Sequence, residues 1–263
     1  MTDNERAVRI RCADACRRGD VDSFEACLKA GVDLHANDPV SGRSWLYLSI
    51  WYPEDTSLLR FLLGAGVPRD AEALVGAACC SKPEFVSTLL DAGADPNDAL
   101  SRTHESPLHM AASFGFRDGA TECVRRLLRS GANPNVHTAT RVESGTWATG
   151  VYTMGETPLH LAVTFGDEEM VRLLVDAGAD MQAEDGYGHT PMVWCARARR
   201  SEKHKQVSAD RLICILRGHP YDDERFTRFP PLETDEDAVS RLELENSRLR
   251  QLLRDHKISD GLE

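Results

Sequence analysis

The sequence predicts an all-α fold: a helical repeat solenoid of six stacked helix pairs, with one extended β-hairpin finger and a separate C-terminal helix. Three observations predict it. The phrase Thr157-Pro158-Leu159-His160-Leu161-Ala162 returns as Ser106-Pro107-Leu108-His109-Met110-Ala111 and, in worn form, as Thr190-Pro191-Met192-Val193-Trp194. A second phrase, Asp176-Ala177-Gly178-Ala179-Asp180, is answered by Ser130-Gly131-Ala132-Asn133 and Gly93-Ala94-Asp95. Between the two phrases apolar residues fall at helical spacing, as in Met170, Val171, Leu173, Leu174 and Val175. A pattern that copies itself along a chain builds small units, each burying its apolar face against the next.

The bulk composition agrees. A chain of 263 residues with 41% hydrophobic content can fill a continuous core. A formal net charge of −11 leaves no basic stripe for phosphates, so nucleic acid is not an expected partner. No apolar run is long enough to span a membrane, and Met1-Thr2-Asp3-Asn4-Glu5-Arg6 lacks the apolar core of a signal peptide. The expected location is cytoplasmic. The run Arg197, Arg199, Arg200, Lys203, His204, Lys205 leaves the nucleus open, although a solvated end surface explains it more simply. Among the eight cysteines, Cys12, Cys16, Cys27, Cys123, Cys195 and Cys214 lie inside helix-like patterns, and no Cys-x-x-Cys occurs. Buried, reduced thiols follow, rather than a disulfide framework or a metal site.

Each part of the phrase has a physical task. Thr or Ser caps a helix, Pro at the first helical position supplies a suitable φ, and Leu turns inward. A Gly such as Gly178 takes the left-handed conformation that closes the second helix. These motifs resemble the ankyrin repeat family, whose unit of about 33 residues is a β-turn and two antiparallel helices. The resemblance covers residues 5–218 and implies units near 5–37, 38–69, 70–97, 98–135, 136–182 and 183–218. Their first helices start near Ile10, Ser44, Glu72, Ser106, Thr157 and Thr190. The step from Gly66 to Gly93 is short, so the third unit runs from Val67-Pro68 straight into a helix. The fourth unit carries extra residues around Arg117-Asp118-Gly119 between its helices, and the sixth is stretched by Ser201-Glu202-Lys203-His204-Lys205. The largest insertion, 136–154, holds β-branched and aromatic residues around Glu143-Ser144-Gly145 and predicts the hairpin. Nothing in the repeat pattern calls for it, so its loss is expected to leave stability nearly unchanged.

The resemblance implies a concave groove made by the fingers and first helices, faced by the column Arg17-Arg18, Trp51-Tyr52, Cys79-Cys80, Ser113-Phe114, Thr164-Phe165 and Arg197-Ala198. From that column Trp51, Tyr52, Phe114, Phe165 and Arg197 are expected to touch a protein partner, with Trp147 and Tyr152 on the hairpin, since Trp, Tyr and Arg most often anchor interfaces. For Phe114 and Phe165, packing on the next unit is an equal alternative. The resemblance also implies that His109 and His160 brace the finger loops rather than act as catalysts or ligands. Cys79-Cys80 has only Lys82 as a basic neighbour, which gives no reason for a lowered thiol pKa. No phosphate loop, metal-spaced cluster or nucleophile with a base is recognisable, so neither cofactor nor metal nor catalysis is expected. Asn97 and Asn135, with Leu89 and Leu127 the same distance before each, match the position hydroxylated by an asparaginyl hydroxylase in ankyrin-like proteins. An Asn that only shapes the turn is the plainer alternative.

Residues 219–237 read as an extended acidic linker, with Tyr221-Asp222-Asp223-Glu224, Phe229-Pro230-Pro231 and Thr234-Asp235-Glu236-Asp237. Residues 238–256 read as one helix in which Val239, Leu242, Asn246, Leu249 and Leu253 occupy successive a and d positions. Asn at an a position selects paired parallel strands in register, and Glu245 faces Arg250 of a second copy. For so short a seam, docking on another protein and capping of the last unit are the alternatives. Two function classes follow. A non-catalytic adaptor holds one protein in its groove and long finger, and a second copy or second protein through the tail helix. The alternative is a regulatory or substrate-recruiting subunit of an enzyme complex, an inhibitor or a ubiquitin-ligase receptor, for which no recruitment element is recognisable within 219–263.

The seam predicts a weak dimer, with a dissociation constant on the order of micromolar. In sedimentation equilibrium, Leu249→Glu abolishes the association and Asn246→Leu strengthens it while loosening its stoichiometry. A concentration-independent monomer in the wild type disproves the seam.

Overall fold

A computed structural model describes residues 3–144, 152–198 and 215–216, and its helices come in pairs. They are α1 (Asp3–Arg18) with α2 (Val21–Lys29), α3 (Trp45–Trp51) with α4 (Ser57–Gly64), and α5 (Ala71–Cys79) with α6 (Pro83–Asp91). Next come α7 (Pro107–Ser113) with α8 (Ala120–Arg129), then α9 (Pro158–Phe165) with α10 (Glu168–Asp176), and α11 (Pro191–Ala198). Strands β1 (Thr140–Glu143) and β2 (Tyr152–Met154) pair antiparallel between α8 and α9. First helices pack in one row, α1 on α3 on α5 on α7 on α9 on α11, and second helices α2 to α10 form the other row. The fold is therefore the mostly helical array that the repeated phrases encode, with a small two-stranded hairpin. One hydrophobic core runs through it from Val8 to Cys195 and Leu216. Among the described residues no helix is long and apolar enough to cross a membrane.

The local chemistry of the two phrases accounts for the repeats. Ser44, Asp70, Ser106 and Asp167 each accept the N–H three residues on with a side-chain oxygen, capping α3, α5, α7 and α10. Gly31, Gly66, Gly93, Gly131 and Gly178 close the second helices with φ between 83° and 89°, where a Cβ would be strained. The Asp or Asn that follows Gly-Ala or Gly-Val in four of these units folds the next turn; after Gly66-Val67 the chain has Pro68 instead. Asp33, Asp95, Asn133 and Asp180 each accept the N–H two residues on at 2.8–3.0 Å.

The first helix departs from expectation. It starts at Asp3, about two turns ahead of Ile10. Val8, Cys12 and Cys16 stand four residues apart and are all buried, so the apolar stripe that holds α1 on its neighbours extends well before Ile10. In the third unit only residues 65–70 separate α4 from α5, and Asp70 caps directly.

Side chains lock one unit to the next. The His109 Nδ1 accepts the N–H of Ser106 (3.1 Å), which leaves its proton on Nε2 to donate to the carbonyl of Glu156 at 3.1 Å. His160 repeats the device, accepting from Thr157 N–H (3.1 Å) and donating to the carbonyl of His189 (2.9 Å). Asn97 and Asn135 do the same at the finger turns. Each amide nitrogen donates to Gly131 or Gly178 (3.1 and 2.9 Å), and each amide oxygen accepts from Asn133 or Asp180 N–H (both 2.7 Å). Both asparagines are exposed, and their amides have a complete structural role in the bridge to the next unit.

Burial pushes the His109 pKa down to about 4 and lowers that of His160. A histidine in the unfolded chain titrates near about 6.5. Between those values the unfolded chain holds the extra proton, so stability is full above about pH 6.5 and falls as pH drops towards 4. The loss is expected to reach up to about 1.4 kcal/mol per pH unit from His109. Denaturant unfolding across this range checks it, and His109→Gln makes the dependence shallower. An equal slope in wild type and variant contradicts the assignment.

Candidate functional site

Three consecutive units and the hairpin enclose a groove of about 480 Å³. Its floor comes from α3 and α5. Tyr47 and Trp51 stand one turn apart on α3, their rings 5.6 Å apart and inclined at 45°. Gly76 on α5 faces both rings: a Cβ there would stand 3.5 Å from Tyr47 and 3.6 Å from the Trp51 indole nitrogen. A methyl group at this position would meet both rings at ordinary contact distance. Trp51 is still 36% exposed.

Charge enters from the finger that precedes α3. The Arg43 guanidinium lies 4.7 Å from the centre of the Tyr47 ring and donates to Glu72, one unit on, at 2.6 Å. That bond holds the Arg43 pKa above its ordinary value, while burial raises the Tyr47 phenol and keeps it neutral. Both partners of the ion pair are part-exposed, at 38% and 42%. Arg102 from the next finger and Glu143 from β1 complete the walls.

Glu143 is carried by a hairpin that is seated, not free. Its register pairs Thr140 with Met154 and Glu143 with Tyr152, with an irregularity between them where Arg141 takes φ 61°. Thr138 N–H donates to the Glu156 carbonyl (3.0 Å) and Ala139 N–H to the Thr103 carbonyl (2.7 Å). The Ser144 hydroxyl donates to the buried Glu105 carboxylate at 2.7 Å. On the other side Gly186 N–H donates to the Met154 carbonyl at 2.7 Å. These bonds argue against the expectation that loss of the insertion leaves stability nearly unchanged, because cutting it strips partners from the buried Glu105 and Glu156.

The expected contact residues fall into three groups. Trp51 lines the groove. Tyr52, 64% exposed at the C-cap of α3, and Tyr152, 56% exposed across from Glu143, are open to solvent beside it. Phe114 is corrected: it is 8% exposed, with Arg117 stacked at 4.3 Å and itself bonded to the Cys79 carbonyl at 3.0 Å, so it packs and does not present a surface. Phe165 is half-buried against the core. Trp147, the side chain of Arg197, the basic run beyond it, and the seam Val239, Leu242, Asn246, Leu249 and Leu253 lie outside the described residues. Burial pushes the Cys79 thiol up to about 12 and raises Cys80, which leaves neither activated.

Sequence reasoning missed Tyr47, Arg43 and Glu72. The signal was present in the spacing: Tyr47 and Trp51 stand four apart on one face of the helix, Arg43 lies just before its cap Ser44, and Glu72 stands in the first turn of the next first helix.

Among known proteins, a family model described as ankyrin repeats (3 copies) matches residues 46–138 and 122–207. Neurogenic locus notch homolog protein 4 of Homo sapiens is 34% identical over 146 residues, 49% of this chain and 6% of that protein. Protein PhlB of Serratia liquefaciens is 37% identical over 132 residues, 50% of each chain. Ankyrin repeat and SOCS box protein 16 of Homo sapiens is 28% identical over 209 residues, 68% of this chain and 46% of that protein. The chain thus spans half or less of the length of each of these relatives.

The seat of the hairpin is tested at Gly186, where a Cβ would stand 2.6 Å from Thr140 Cγ2 and 2.8 Å from the Met154 carbonyl. Gly186→Ala is expected to cost about 1–3 kcal/mol in chemical denaturation and to speed amide exchange in β2. Unchanged exchange would mean the hairpin is held elsewhere.

Proposed function

Because this chain belongs to the ankyrin repeat family, we propose that it is a non-catalytic adaptor that holds a protein partner in the groove between its second, third and fourth units. The observation that carries the reading is the aromatic corner of Tyr47 and Trp51, left part-open to solvent inside a cavity of about 480 Å³. Exposed aromatic surface in a recess with charged walls is the anatomy of an interface hot spot. Tyr52 and Tyr152 extend the surface past the recess, and residues 238–256, whose sequence has helical apolar spacing, would offer attachment for a second copy or second protein.

A second reading has one observation in its favour. Similarity over 68% of the chain to a protein named for a SOCS box beside its ankyrin repeats fits a recruiting subunit of a larger complex. The two readings differ in what residues 219–263 attract.

Affinity purification with quantitative mass spectrometry separates them, using the full chain, Trp51→Ala and a chain ending at residue 218. Trp51→Ala is expected to reduce one set of partners more than tenfold, about 1.4 kcal/mol, with its melting temperature near that of the wild type. The shortened chain should keep that set. Identical partners on wild type and Trp51→Ala refute the groove, and loss of one constant enzyme assembly on shortening favours the recruiting subunit.

A further inference from the structure

Arg43 is placed as a ligand would be. Its guanidinium lies over Tyr47 at 4.7 Å and donates through Nη1 to Glu72, with the edge of Trp51 closing the corner. Planar stacking together with a carboxylate bond is how an arginine side chain is recognised wherever it is bound. Yet Arg43 is held loosely. It comes from the loop ahead of α3, its side chain is 38% exposed, and Nη1 to Glu72 is the one side-chain hydrogen bond it makes among the described residues, while its main chain is bonded to Asp38 and Ser41. An exposed ion pair of this kind adds little to stability, so its displacement is cheap.

We propose that Arg43 is an internal placeholder, and that the groove receives an arginine side chain from a basic segment of the partner, which takes over Tyr47 and Glu72 as Arg43 swings out. This rests on the groove being the partner site. The charge balance supports a cation. With Arg43 displaced, Glu72 loses the guanidinium it bonds, and the Asp70 carboxylate still acts on the vacated position. The chain as a whole carries −11, a field that draws a basic segment in and slows an acidic one. The cavity, about 480 Å³, is larger than one side chain needs and has room for the residues flanking the arginine.

The test uses the full-length chain and two probes, the capped tripeptides acetyl-Ala-Arg-Ala-amide and acetyl-Ala-Glu-Ala-amide, titrated while the Trp51 indole N–H is followed by NMR. That signal is assigned by its loss in Trp51→Phe. The arginine peptide is expected to shift it, and Arg43→Ala to bind that peptide at least about tenfold more tightly than the wild type. Glu72→Gln should weaken binding whether or not Arg43 is present. Weaker arginine binding in Arg43→Ala, or no shift in that variant, overturns the proposal. So does a response confined to the glutamate peptide and lost with Arg43, which would make Arg43 an anion receptor. These failures leave the wider reading standing as long as Trp51→Ala still loses its partner set, and that reading fails only if the set is unchanged.

Discussion

The main-chain carbonyl of Glu156 accepts twice, from the buried imidazole of His109 (3.1 Å) and from the N–H of Thr138 (3.0 Å). His109 belongs to α7, and Thr138 begins the chain's excursion into the hairpin. One oxygen therefore ties the entry of the hairpin to its return and both to the preceding unit. Buried lone pairs without water must find donors inside the protein. A neutral imidazole meets that need without bringing a charge into the interior, and burial is what keeps it neutral. The position of β1, and with it Glu143 at the wall of the groove, follows from this junction.

Stability and recognition are divided between different surfaces of the array. The facing sides of the two helix rows hold the core, where Leu108, Leu159, Leu127 and Leu174 are at most 1% exposed. Along the second row runs a ladder of ion pairs, with Arg126 between Glu84 and Glu122, and Arg125 between Glu122 and Glu169. Each such pair is worth at most about 1 kcal/mol at a surface, but together they oppose sliding of α6, α8 and α10 past one another. The groove lies apart from that ladder of ion pairs, on the first helices and fingers. On the proposed reading its residues answer to what they bind, and Gly76, a poor helix former inside α5, stands where a Cβ would meet both rings at ordinary contact distance.

How much of this could be read from the sequence depends on how local each cause is. The caps, the closing glycines and the Asx turns act within a few residues, so Ser106, Gly178 and Asp95 announced their elements directly. The bracing histidines were legible too, because a part that recurs at one place in each unit serves the stack. Phe114 stayed undecided between surface and packing, since its cover includes Arg117, an insertion residue whose guanidinium reaches back to Cys79 in the unit before. The seat of the hairpin was hidden for the same reason: Gly186 and Glu105 belong to the fingers on either side of it. Tyr47 was overlooked because the groove was sought in one column of residues, whereas a helix face offers the position one turn earlier as well.

On the proposed reading, a groove that binds protein has also to remain unbound until the right partner arrives. Two adjacent aromatic rings with no cover would attract any apolar segment, including those of other copies of the chain. Arg43 changes that balance. By covering one face of Tyr47 and meeting Glu72, it puts charge over part of the aromatic surface, so a segment that fills that part must displace a cation and strand a carboxylate. Specificity is a difference between affinities, and a small internal cost borne by every partner widens that difference for partners that cannot restore what they remove. The weak ion pair that adds little to stability is thus well placed to decide what the groove accepts.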